Sequence, residues 1–143
     1  MGAADPVLIE ELRQLRDELA ALEVQQRSVT GFEQFRESWL LRRAVERGLE
    51  ICVEACLAMG RRIIAADGLR FAENNKDVFK VLGEAGILGP DVVATMTKMA
   101  GFRNLVVHEY VRIDPAVVFA ILRNDLGDFD EFAASVVAYM KGE

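Results

Sequence analysis

Leu8, Leu12, Leu15, Leu19 and Leu22 recur at alternating steps of four and three. That spacing gathers apolar side chains onto one stripe of an α-helix. Charged residues fill the other face, and the pattern predicts an amphipathic helix from about Pro6 to Arg27. Thr30-Gly31 interrupts the period, and Phe32 and Phe35 anchor a short amphipathic turn beyond it. A longer run spans roughly Ser38 to Ala66, with Leu41, Val45, Leu49, Cys52, Cys56, Met59 and Ile63 on its apolar side. Asp67-Gly68 ends this run, because glycine readily takes the left-handed conformation that closes a helix.

A polar loop, Glu73-Asn74-Asn75-Lys76, precedes a short helix near Asp77 to Ala85, which Gly86 terminates. Prolines at 6, 90 and 115 each follow Asp or Gly, the arrangement of a cap and a first helical residue. Pro90 opens a helix with Val93, Met96, Met99 and Val106 toward the core, and Pro115 opens another through about Arg123. Leu126-Gly127 bends or breaks that helix before a last one through Met140. No segment alternates apolar and polar residues between hairpin turns, so strands are not expected. The sum is all-α: an antiparallel bundle of five to six helices in one domain covering residues 1–143. The apolar stripes of the two long helices exceed what a small core needs, which favours self-association.

Composition narrows the function. Hydrophobic residues make up 52% of the chain, yet no apolar run approaches the roughly 20 residues of a membrane span. Met1 to Glu11 lack a basic segment followed by an apolar run, so no signal peptide and a cytoplasmic location are expected. Cys52 and Cys56 lie one helical turn apart in apolar surroundings and read as small hydrophobes, not as zinc ligands. A net charge of −6 argues against nucleic-acid binding driven by overall charge. It leaves room for a local basic patch: Arg36, Arg42, Arg43 and Arg47 crowd one stretch and Arg61-Arg62 another, with Glu37, Glu46 and Glu50 as available partners.

The segment Arg103-Asn104-Leu105-Val106-Val107-His108-Glu109-Tyr110 holds the chain's one histidine and one of its two tyrosines. A cation, a proton-transfer group and a phenol this close suit phosphate chemistry. On a helix Arg103 and Tyr110 fall on nearly the same face, whereas His108 lies about 140° around the axis from Arg103. One copy therefore aims both groups at a single bond only if the helix ends or distorts near His108. A second copy brought in by a two-fold axis also solves the geometry. For RNA as substrate, histidine suits the base that takes the 2′-hydroxyl proton or the acid that protonates the leaving 5′-oxygen. A guanidinium stabilises the charge gained by the pentavalent phosphate. Asn104 would orient His108 or hold a phosphate oxygen. Two histidines in acid and base roles require a dimer, and no metal or other cofactor is needed. The plainer alternative makes Arg103 a surface cation, His108 a structural residue and Tyr110 a core edge.

Arg103-x4-His108-x-Tyr110 resembles the hallmark of the HepT-like branch of the HEPN superfamily. Arg43-Ala44-Val45-Glu46-Arg47 with Leu49 and Glu54-Ala55 is similar to that family's second long helix. Phe79 to Leu88 resembles the segment before its motif helix, and Asp128-Phe129 with Phe132 its C-terminal helix. The resemblance runs from Phe32 onward. It implies an all-α homodimer with a composite cleft, acting as a metal-independent ribonuclease toxin of a type VII toxin–antitoxin system. Arg103 and His108 match the catalytic pair, with Asn104 in support. It also implies a MntA-like nucleotidyltransferase antitoxin that neutralises the toxin by attaching AMP to Tyr110. The added charge and bulk would block RNA phosphate beside a cationic cleft. Ser38 stands where the family pattern often has an acidic residue, so no role is carried over for that acid. If the acidic chain binds RNA, the Arg36–Arg47 stretch is expected near the cleft. The alternative reading is a non-catalytic HEPN module whose motif helix docks the partner nucleotidyltransferase.

Overall fold

The computed structural model describes residues 5–108 and 113–143. Among these residues there are seven helices and no strand: α1 (Pro6–Ser28), α2 (Phe32–Glu37), α3 (Trp39–Ala66), α4 (Asn75–Glu84), α5 (Pro90–His108), α6 (Pro115–Asn124) and α7 (Leu126–Met140). The expected bundle is present, with the turn after Gly31 forming the separate six-residue helix α2.

The helix starts follow from their caps. Asp5 Oδ1 accepts from the Val7 amide at 2.9 Å and Asp114 Oδ1 from Ala116 at 2.9 Å, each just before a proline. These carboxylates satisfy amides that no preceding turn can reach. Ser38 Oγ accepts from the Leu41 amide at 3.2 Å, so the residue that departs from the family pattern caps α3. Asn74 Oδ1 accepts from the Asp77 amide at 2.9 Å. That cap starts α4 at Asn75, two residues before the apolar period becomes visible in the sequence. Gly68 and Gly86 follow α3 and α4 with φ of 63° and 76°, the left-handed conformation expected of them.

Helix α3 is the spine, in contact with all six other helices. Its buried side carries Val45, Leu49, Cys52, Val53, Cys56, Met59 and Ile63. All five leucines of the α1 stripe are buried against it or its neighbours. Phe79 of α4 meets Phe132 of α7 edge to face, with ring centroids 5.7 Å apart, and Phe119 of α6 packs on both Phe32 and Phe35. Two glycines let helices approach closely. A Cβ on Gly60 of α3 would lie 2.6 Å from Val78 Cγ1 of α4, and one on Gly83 of α4 would lie 2.6 Å from Val93 Cγ2 of α5. These contacts set how α3, α4 and α5 bring their polar edges together. Among the described residues, no helix is long and apolar enough to cross a membrane.

Candidate functional site

Met96, Met99, Ala100 and Phe102 bury one side of α5 and turn Arg103 and Asn104 toward α3 and α4. Arg103 directs Nη2 (3.3 Å) and Nε (3.4 Å) at the same oxygen, Oε2 of Glu54 on α3. Its Nη1 reaches Asn104 Oδ1 at 3.5 Å. That amide oxygen also accepts from Asn75 Nδ2 at 3.2 Å, and Asn75 Oδ1 accepts from Arg61 Nη2 at 2.6 Å. A continuous polar chain thus runs Glu54–Arg103–Asn104–Asn75–Arg61 across three helices.

The site is half-open. The Arg103 side chain is 23% exposed and that of Glu54 40%, so a ligand can reach the guanidinium while its position is held from below. The contact with Glu54 is long and uses one carboxylate oxygen, leaving guanidinium donors free to take a second acceptor. Lys76 adds charge on the adjacent surface: a Cβ on Gly101 would meet its Cε at 3.3 Å and its Nζ at 3.6 Å. Arg61, Lys76 and Arg103 thus bring three cations to the facing edges of α3, α4 and α5, a locally cationic patch on a chain of net charge −6.

The sequence-predicted residues divide. Arg103 and Asn104 are brought into direct contact. His108 is exposed at the end of α5, about 140° around the helix axis from Arg103. Tyr110 lies outside the described residues. The Arg36–Arg47 stretch pairs as its sequence suggests at two places, Arg36 with Glu37 (3.6 Å) and Arg47 with Glu50 (3.2 Å). Arg36 is nearer still to Glu33, at 2.7 Å, and Arg43 lies over the Trp39 ring at 4.8 Å. Arg61 is joined to the motif through Asn75, and Lys76 lies against Gly101, two residues before Arg103.

Glu54, Arg61, Asn75 and Lys76 were not assigned to the site from sequence. One trace of them is readable: Glu54 and Arg61 are seven apart and so share a face of α3, a charged pair on a helix whose other side is core. The two cysteines are structural. Burial pushes the Cys52 thiol up to about 12, with the Glu18 carboxylate adding to the shift, and drives Cys56 well above its ordinary range. Among the described residues, no three His, Cys, Asp or Glu side chains converge as metal ligands.

Comparison with known proteins places the chain in a family. Residues 8–136 match the family model described as ribonuclease HepT-like. The mRNA nuclease HepT of Shewanella oneidensis is 27% identical over 99 residues, which cover 69% of this chain and 74% of that protein. The tRNA nuclease HepT of Aphanizomenon flos-aquae is 27% identical over 95 residues, 66% of this chain and 65% of that protein. A solved structure of the tri-AMPylated Shewanella oneidensis HEPN toxin in complex with MNT antitoxin has the same fold. Its TM-score is 0.85 at 22% identity, over 92% of this chain and 97% of that one. Matched over nearly its whole length, the chain belongs to the HepT-like ribonuclease family.

Proposed function

We propose that this protein is an RNA endonuclease and the toxin of a toxin–antitoxin pair, working without a metal ion from a cleft built by two copies of the chain. The carrying observation is Arg103, held by Glu54 and Asn104 yet still open to solvent, in a chain whose curated relatives are nucleases. A partly exposed guanidinium fixed by its neighbours is preorganised for an oxyanion, because little reorganisation remains when phosphate arrives.

In this reading the 2′-hydroxyl of the RNA attacks the adjacent phosphorus. His108 of one copy takes the hydroxyl proton, and His108 of the other gives a proton to the leaving 5′-oxygen. Arg103 and Asn104 hold the non-bridging oxygens as charge builds on them. The products are a 2′,3′-cyclic phosphate and a free 5′-hydroxyl. The dimer is part of the reading for a geometric reason. His108 points away from Arg103 on its own helix, and a chain with one histidine needs a second copy for both proton transfers. Control falls to a nucleotidyltransferase antitoxin, which attaches AMP to Tyr110. The added phosphates then compete with RNA for the cations around Arg103.

The test is cleavage of RNA by the purified chain in EDTA, compared between the wild type and His108→Ala at equal helical content. Cleavage by the wild type and its loss in the variant are expected. Undiminished cleavage by His108→Ala would remove the histidine from the chemistry. If the wild type cleaves nothing but accepts AMP from the transferase, the chain is a docking module and not a nuclease.

A further inference from the structure

Phe71 is the most exposed of the large hydrophobic side chains described, at 87%. A single exposed apolar residue is ordinary on a protein surface. This one is distinguished by how firmly its backbone is held. Arg70, beside it, engages Asp77 with two nitrogens (2.8 and 2.9 Å) and Glu84 with two (both 2.8 Å). Asp77 Oδ2 also accepts from the Glu73 amide at 2.9 Å. The Leu69 amide donates to the Ile64 carbonyl at 3.0 Å, and Ala72 is buried. The connection between α3 and α4 is thus tied on both sides of a phenyl ring that it presents to water.

That ring borders a cavity of about 430 Å³ whose walls include Ile64, Leu69 and Ala72. Arg61 lines the same cavity. It is also the residue that ends the polar chain from Arg103, through Asn104 and Asn75. The cavity is therefore linked to the candidate catalytic arginine through two intervening side chains. Arg70 engages the carboxylates of Asp77 and Glu84, while Glu73 and Asp67, two and four residues from Phe71, leave acidic groups on the same connection, Asp67 accepting from the Tyr139 hydroxyl at 2.8 Å.

We infer that Phe71, Arg61 and this cavity form a base-stacking subsite that holds an unpaired nucleotide of the RNA beside the scissile phosphate. The inference rests on the ribonuclease reading and deepens it by assigning where substrate preference arises. An aromatic face accepts any base that has left its stack, an apolar floor excludes water beneath it, and a guanidinium alongside takes the phosphate. The ordered loop holds the backbone that carries the ring, so the ordering cost of binding falls on the side chain alone. Single-stranded RNA is the occupant this combination fits, since a paired base presents no free face.

The experiment uses the full chain carrying His108→Ala, which separates binding from cleavage. Its affinity for a fluorescein-labelled single-stranded RNA is measured by anisotropy, with and without Phe71→Ala or Phe71→Tyr. Phe71→Ala is expected to weaken binding about tenfold, in line with the loss of one stacked base, and Phe71→Tyr to preserve it. A 4-thiouridine probe is expected to crosslink to the peptide containing Phe71. In the active chain, Phe71→Ala should raise KM for single-stranded RNA and leave kcat nearly unchanged. Equal affinity for all three proteins, or crosslinks confined to other peptides, overturns the subsite while leaving the ribonuclease reading intact. Absence of any RNA binding by the His108→Ala chain overturns both. Loss of antitoxin association with unchanged RNA affinity would make Phe71 a protein contact and overturn the subsite.

Discussion

Replacing Gly60 by alanine tests whether close packing of α3 on α4 supports the site. The added Cβ would sit 2.6 Å from Val78 Cγ1 and 3.3 Å from Leu82 Cδ1. Both neighbours are fully buried, and Val78 is β-branched, so its methyl cannot swing aside without leaving its preferred rotamer. Two effects oppose each other. Alanine gains up to about 1 kcal/mol over glycine inside a helix. Overpacking a filled core costs about 1–3 kcal/mol. The clash is below any ordinary carbon–carbon contact and has no flexible partner, so overpacking wins and Gly60→Ala should cost about 1 kcal/mol net. For a chain near this length that lowers Tm by roughly 2–4 °C. Because α4 carries Asn75 at its first turn, pushing α4 outward also slackens the Arg61–Asn75–Asn104 chain, and RNA cleavage should fall with stability. The assay is thermal or urea unfolding of Gly60→Ala, Val78→Ala and the double variant. In the Val78→Ala background the space opens, and Gly60→Ala should become neutral or stabilising. If Gly60→Ala costs the same in both backgrounds, or stabilises the wild type, the packing argument is wrong.

Glu54→Ala should leave stability within about 1 kcal/mol, because the pair with Arg103 is half-exposed and uses one oxygen. Its kcat for RNA cleavage should fall on the order of tenfold to a hundredfold as Arg103 loses its orientation, and an unchanged kcat would refute the positioning role. Cys52 and Cys56 should resist Ellman's reagent in the folded chain at about pH 8 and react once it is unfolded, since burial holds both thiols protonated. Rapid labelling of the native protein would contradict that. Hydrogen bonds from Arg70 hold the Asp77 carboxyl down from its ordinary 3.8 to about 2. A carboxyl depressed in the folded state stabilises it fully above the unfolded pKa and loses that contribution as pH falls through the folded one. The segment around Phe71 should therefore loosen between about pH 4 and pH 2, seen as faster amide exchange at Glu73, and Asp77→Asn should abolish the dependence.

The elements were legible because their signals are local. The leucine stripe of α1 and the caps at Asp5 and Asp114 lie within a few residues of what they stabilise. So does the left-handed Gly68 that follows α3. The start of α4 was less so: Asn74-Asn75 reads as loop by composition, and only the Asn74 side chain reaching the Asp77 amide turns Asn75 into helix. The motif showed Arg103, Asn104 and His108 as candidates, but not what holds them. Glu54 and Asn75 stand 49 and 29 positions away from their partners in the motif, and such contacts exist only once α3, α4 and α5 have packed. The glycines that permit that packing, Gly60 and Gly83, sit inside helices, where propensity alone counts them as defects. Charge shows the same division. The total of −6 was readable, whereas the cationic patch of Arg61, Lys76 and Arg103 arises from three helices meeting.

The most direct test of the central claim is the chemistry of the cut ends. RNA incubated with the purified chain in EDTA should yield 2′,3′-cyclic phosphate and 5′-hydroxyl termini, the products of attack by the 2′-oxygen with proton transfer by His108 and charge stabilisation by Arg103. Termini bearing a 5′-phosphate and a 3′-hydroxyl, or cleavage that appears only when a divalent metal is restored, would contradict it.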